Sequence, residues 1–389
     1  MFRKLLPILV VFVLPLVGYA DESSTAWQEK IVEKAGENGE QITKALSEIR
    51  QERREGMEFL LRYMPERDLT SLSADFLLEN VDYAYQAWNQ SKWKNDVPKD
   101  LFLNYVLPYA NINEDRDNWR KDFYQRFSPL VKDAKSAGQA AVMLNQKVFK
   151  LTNVKYSTKR RRADQGPFES IESGLASCTG LSILLIDACR SVGIPARFVG
   201  TPLWSDRSGN HSWVEVWDNG AWHFTGAAEP AGDDLDKAWF IGRASKAKRD
   251  DRRHAIYAVS YKQTPILFPL LWDRRNNYVH AVNVTDRYAN KAAELPADHL
   301  AAMFRVLNPN GERCCVPIRV KDQAGKTLFE GESKDERFDL NDHTTAVLPK
   351  GVTVEIEYGT GDEKRTKKME LSDAQPLTTL TVEEKSKSE

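Results

Sequence analysis

Apolar residues recur at three- and four-residue intervals through most of the first 150 positions, the period of helices with one buried face. Ile31, Ala35, Ile42, Ala45, Leu46 and Ile49 mark one stripe, interrupted near Gly36 and Gly39. Leu69, Leu72, Phe76, Leu77, Val81, Ala84 and Trp88 mark a second; Trp119, Phe123, Phe127 and Leu130 mark a third, continued over 140–151. The pattern predicts a helical region over 21–150 whose aromatic stripes serve packing. Over 181–192 apolar positions cover most of the helix circumference, which predicts a helix buried on most sides. Ser177 caps its start, and Gly193 with Pro195 stops it.

The period then changes to two. Residues 194–200 and 212–217 read as strands, and Asn219-Gly220 suits a two-residue type I′ hairpin turn. That turn sets a register in which Trp217 faces Trp222, Trp213 faces Gly226 and His211 faces Ala228. Glu229 is one position off, and a bulge at Gly226 would bring it onto the histidine's face. Strand formers return at 256–259 and 279–284. Further candidate strands are 303–307, 316–320, 327–330, 344–348, 352–358 and 377–382, separated by turn signals such as Asn308-Pro309-Asn310-Gly311. They predict a small antiparallel sandwich. The fold class is α+β: a helical region at 21–150, a central core at 151–265 and a β-rich domain at 266–382. The tail at 383–389 is expected to be disordered.

Charge and cysteines narrow the picture. With 55 Lys and Arg against 56 Asp and Glu, the formal net charge is −1, and no nucleic-acid footprint is visible. The basic run at 159–162 is isolated and reads as a solvated loop. Arg3 and Lys4 precede an apolar run over 5–17 and then Gly18-Tyr19-Ala20, which reads as a cleavable signal peptide over 1–20. The run is too short and too interrupted by Pro7 and Pro15 to span a membrane. The expected location is periplasmic or secreted, with no stable membrane span once the signal is removed. Four cysteines in an exported chain raise the question of disulfides. Cys178 and Cys189 on one helix would lie about 16 Å apart at ~1.5 Å per residue, too far to bridge. Cys189 reads as a core thiol, Cys314 and Cys315 would point to opposite sides of a strand, and Cys178 reads as a free thiol.

A free thiol at a helix start is where a nucleophile belongs, because unpaired N–H groups and the macrodipole favour the thiolate there. His211 is the candidate base and Glu229 the candidate acid that orients it. Gly-Leu-Ala-Ser-Cys178, then Gly193-Ile-Pro-Ala-Arg-Phe-Val, then His211-Ser-Trp-Val-Glu-Val-Trp-Asp-Asn-Gly-Ala-Trp222 resemble the core of the transglutaminase-like superfamily, over roughly 150–245. The resemblance implies a papain-like or transglutaminase-like catalytic core with Cys, His and acid in that order, in an exported bacterial member. The family usually has Asp where this chain has Gly226; Glu229-Pro230 resembles the Asp-Pro pair displaced by an insertion, with Asp233 and Asp234 as substitutes.

The expected activity is cysteine-dependent hydrolysis of amide bonds in a peptide or protein, including cell-wall or surface-associated substrates. Its rivals are acyl transfer to an amine and a non-catalytic scaffold at the cell surface. No cofactor is expected. Nor is a metal, since neither Cys-x-x-Cys nor His-x-x-x-His spacing occurs. Trp213, Trp217 and Trp222 read as packing residues and His223 as structural.

Overall fold

The computed structural model describes residues 24–289, 291, 295–361, 364–372 and 375–382. The signal segment expected at 1–20 and the tail at 383–389 lie outside the described residues. The apolar stripes of the first third become α1 (Ser24–Ala35), α2 (Gly39–Glu48), α3 (Arg54–Tyr63), α4 (Ala74–Gln90), α5 (Lys99–Tyr105), α6 (Arg120–Phe127) and α7 (Ala137–Thr152). Ser73 and Ser136 cap α4 and α7, each hydroxyl accepting from a first-turn N–H that would otherwise lack a partner. Their buried faces join those of α8 (Cys178–Ser191) and of the sheet beyond it in one hydrophobic core. The helical region is thus a wall of the central core, not a separate body.

Every residue of α8 from Thr179 to Ser191 is buried. Gly193 ends it with φ of +81°, and a Cβ there would meet the Ala87 carbonyl oxygen at 2.8 Å. Glycine is needed at this position both for its backbone conformation and for the close approach of α4.

Behind α8 lies a six-stranded antiparallel sheet of β1 (Ala196–Thr201), β2 (His211–Asp218), β3 (Ala221–Thr225), β4 (Tyr257–Ser260), β5 (Ile266–Leu267) and β6 (His280–Asn283), in the order β3-β2-β1-β4-β6-β5. Asn219 and Gly220 turn with φ of +48° and +80°, as the Asn-Gly signal requires, and Trp217 pairs with Trp222. The boundary expected at 265 falls inside this sheet. The central core runs on through Tyr288, which packs on Trp213, and the next core begins at Leu300.

The expected hairpin register holds as far as Val214 opposite Thr225. The chain then makes a tight turn in place of the expected bulge: Glu229 N–H donates to the Gly226 carbonyl at 3.2 Å, with Ala228 at φ of +64°. Asn145 of α7 explains the departure. Its Nδ2 donates to the Gly226 carbonyl and its Oδ1 accepts from the Ala228 N–H, serving backbone groups that continued pairing with β2 would have used.

The C-terminal domain contains β7 (His299–Leu307), β8 (Pro317–Lys321), β9 (Thr327–Glu332), β10 (Thr344–Pro349), β11 (Thr353–Tyr358), β12 (Arg365–Glu370) and β13 (Leu377–Thr381). They form two sheets, β9-β8-β11-β12 and β10-β7-β13, over a shared core that includes Phe304, Ile318, Ile356 and Leu380. The sandwich departs from the antiparallel expectation at one edge, where β13 runs parallel to β7. β12 was not expected because Arg-Thr-Lys-Lys-Met-Glu has almost no apolar alternation. It is an edge strand whose Met369 reaches the core and whose lysines discourage further pairing.

Candidate active site

The first residues of α8 and β2 are tied together. The Ser177 hydroxyl accepts from the N–H groups of Thr179 and Gly180 at 3.1 and 3.2 Å and donates to the Ala163 carbonyl at 2.7 Å. Cys178 therefore opens the helix, with its own N–H directed out of the first turn, where no intrahelical acceptor exists. Its thiol is free and half-buried. The hydroxyls of the next residue in each element, Thr179 and Ser212, lie 3.2 Å apart, which fixes the start of the helix against the start of the strand.

His211 stands at that strand start and is 2% exposed. Its ring is boxed by Trp204, Trp213, Trp239 and Phe240, with centroid separations from 4.9 to 6.1 Å. Cys178 Sγ, one His211 ring nitrogen and one Asp339 carboxylate oxygen all lie within 4.8 Å of one another. Neither buried ring nitrogen has a well-formed hydrogen bond, although Nδ1 is 3.5 Å from Oδ2 of Asp339. Burial works against a charged ring. The Asp339 carboxylate, with Cys178 beside it, outweighs burial and holds the imidazole well above its ordinary 6.5.

Asp339 comes from the C-terminal domain, on the loop over 333–343 between β9 and β10, and sequence reasoning missed it. The buried Arg313 guanidinium holds this loop by donating to the carbonyls of Phe338 and Asp339 at 2.6 and 2.9 Å. Leu340 N–H donates to the Tyr156 hydroxyl, Asn341 Nδ2 to the Asn210 carbonyl and Arg243 to the Asn341 carbonyl, so the loop is bolted to the central core on both sides of His211. Burial would raise the Asp339 carboxyl. The His211 charge, the Asn341 N–H and Arg313 overcome it and hold the group below its ordinary 3.8.

Glu229 occupies a different place. Its Oε2 accepts from Trp239 Nε1 at 2.8 Å, and a Cβ built on Gly226 would lie 2.5 Å from that same oxygen. The Glu229 carboxyl thus fills the space a side chain at 226 would enter. Burial pushes it up to about 7, opposed first by the charge of His211. No hydrogen bond joins Glu229 to His211 in this arrangement. Asp233 and Asp234 are exposed and bonded elsewhere, to Gln146 and Lys237, and lie outside the cluster. His223 bonds Asp236 at 2.7 Å, as befits a structural residue. Trp213 and Trp222 are buried in packing.

The two carboxylates differ in a way that matters chemically. An acid that orients an imidazole sits across the ring from the thiol, about 7 Å from it once two hydrogen bonds and the ring width are added. Asp339 lies within 4.8 Å of Sγ, so it shares the thiol's corner of the ring. A cavity of about 930 Å³ has Tyr156, Leu181, Glu229, Trp239, Phe338 and Asp342 among its walls, residues that neighbour the cluster, while Cys178, His211 and Asp339 do not line it. Both the central core and the C-terminal domain line it.

Residues 125–226 match the family described as "Transglutaminase-like superfamily". The match begins inside α6, ahead of the expected limit near 150, and ends before Glu229 and Asp339. No curated protein matches the chain by sequence. Among solved structures, a candidate cysteine protease from Cytophaga hutchinsonii aligns at 17% identity and a TM-score of 0.28, covering 35% of this chain and 44% of that one. Red sea bream transglutaminase aligns at 8% identity and a TM-score of 0.25, covering 76% of this chain and 59% of that one. The chain therefore spans about half the length of these two proteins. The segment matched to the transglutaminase-like superfamily, residues 125–226, is the one that carries the nucleophile candidate, the base candidate and the strands between them.

Proposed function

We propose that the chain is an exported, cysteine-dependent hydrolase of amide bonds in peptides or proteins, working through an acyl-enzyme. The observation that carries this reading is the pairing of a helix-opening thiol with an aromatic-boxed imidazole inside 4.8 Å. In the reaction, Cys178 sulfur attacks the carbonyl carbon and the C–N bond breaks as His211 delivers a proton to the departing amine. The Cys178 N–H stabilises the oxyanion. Water, losing a proton to His211, then cleaves the thioester and restores the thiol; an amine in place of water would give acyl transfer. Glu229 is assigned the orienting role because its carboxyl fills the place above Gly226 where the family's aspartate would begin; to take that role it turns from Trp239 toward the His211 ring.

The Asp339 carboxylate beside His211 holds the ring well above its ordinary 6.5, which keeps an imidazolium ready to protonate the departing amine. The test is rapid labelling by a thiol-selective reagent, together with capture of an acyl group on sulfur from peptide or cell-wall extracts. Cys178→Ala should abolish both. The closure of His211, at 2% exposure, favours the rival scaffold reading. A Cys178 that labels no faster than a model thiol would decide for the scaffold.

A further inference from the structure

We propose that Cys178, His211 and Asp339 form a zinc site, assembled across the two domains, that silences the thiol while the metal is bound. The argument begins with placement. An orienting acid belongs across the ring from the nucleophile, whereas Asp339 converges with Sγ on one corner of His211, all three donor atoms lying within 4.8 Å. Among the described residues this is the one such convergence of His, Cys and acidic donors.

The second observation is the state of the imidazole. His211 is 2% exposed, and neither ring nitrogen has a hydrogen bond of ordinary geometry, Nδ1 having only the 3.5 Å contact with Asp339. An orphaned buried polar atom is costly, and native structures leave few of them. A metal ion at the shared corner would give one nitrogen a strong partner.

The donor chemistry selects the ion. Thiolate, imidazole and carboxylate together suit a borderline-soft cation, and zinc takes all three at roughly 2.0–2.3 Å in a tetrahedral shell. Such bonds place neighbouring donor atoms about 3.3–3.8 Å apart. The His211–Asp339 separation of 3.5 Å is already in that range. The longest separation must shorten by about 1 Å, a movement within reach of side-chain torsions. Three protein ligands leave a fourth position for water or another donor. Coordination takes the thiolate and a neutral imidazole, and any proton they carried passes to solvent. A sulfur whose charge is drawn into a zinc bond and held toward the metal is a weaker nucleophile for a carbonyl, and the loop over 333–343 becomes fastened to α8 through the metal.

Metal binding is measured without turnover, so this site and the proposed hydrolysis can fail separately. The full chain, stripped with a chelator, is titrated with Zn²⁺ against a chromogenic competitor. The expected result is one equivalent bound, weakened at least about tenfold in Cys178→Ser and in Asp339→Asn. Zinc should also protect Cys178 from a thiol reagent, and excess chelator should restore labelling. Co²⁺ in the same protein should give a thiolate charge-transfer absorption that Cys178→Ser lacks. Each variant is checked for a cooperative melt; should Asp339→Asn fail it, Cys178→Ser, which changes one atom, carries the comparison. Wild type binding no zinc, or Cys178→Ser binding it as tightly as wild type, overturns the proposal.

Discussion

At its C-terminal end α8 is anchored by buried arginines that bond several backbone carbonyls, whereas beside its N-terminal thiol the buried imidazole has only one loose ion pair. Arg190 donates to the carbonyls of Tyr105, Ala196 and Ala110, while Arg120 donates to those of Val106, Leu107 and Pro108. Asn111 Nδ2 reaches the Asp187 carboxylate at 2.8 Å. These side chains take the place of a strand for the segment over 105–111 and anchor the helix. At the other end, His211 Nδ1 has only the 3.5 Å contact with Asp339, and Cys178 is half-buried. A satisfied network fixes position; an unsatisfied one leaves groups available for chemistry or a ligand. The same helix is held at one end so that it can react at the other.

The sharpest break of this contrast is Cys178→Ala. It should remove at least ~10³-fold of any amide cleavage, with stability changed by no more than about 1 kcal/mol. Activity assays and a melting curve on one preparation check both halves. Arg120→Met should do the reverse, removing a buried guanidinium's bonds to the Val106, Leu107 and Pro108 carbonyls and to Asn80 Oδ1, for about 3–5 kcal/mol. Its melting temperature should fall by roughly 10 °C. Gly193→Ala should cost about 2–4 kcal/mol, because the added carbon meets the α4 backbone at a φ that alanine disfavours. Urea midpoints would show it.

Smaller effects separate the two carboxylates. The His211–Asp339 pair is fully present only between the ordinary values of 3.8 and 6.5. Its stabilisation is lost as pH rises through the raised His211 value and as pH falls through the lowered Asp339 value. Asp339→Asn in metal-free buffer should therefore cost roughly 1–3 kcal/mol near pH 5 and less on either side. Glu229 has the opposite sign. Its carboxyl, raised from 4.5 to about 7, weakens the fold progressively as pH climbs through that interval. Glu229→Gln should gain on wild type by a few degrees, of the order expected for about 1 kcal/mol, between pH 4.5 and 8. If Glu229 orients the base, the same variant should lose activity while becoming more stable.

Much of the site's scaffold was legible along the chain. Ser177, Cys178 and Gly193 marked the ends of α8 because caps and stops are local, depending on a few neighbouring dihedrals. Asn219-Gly220 set the hairpin register for the same reason. The register failed past Thr225, where Asn145, distant in sequence, took over the backbone groups. Asp339 carried no signal at all. It is one Asp among many in a turn-rich stretch, and its partner Arg313 looks like any surface arginine until the sandwich buries it. The division at 265 failed because β5 and β6 are too short to declare their sheet.

Local chemistry along the chain determined a thiol at a helix's opening, a histidine at the head of a strand and the tight ribbon that follows, since each depends on residues a few positions apart. Which carboxylates approach the imidazole, and from which side, depended on contacts between segments more than a hundred residues apart. Such contacts exist only after two cores have formed and docked, so only the tertiary structure decided them.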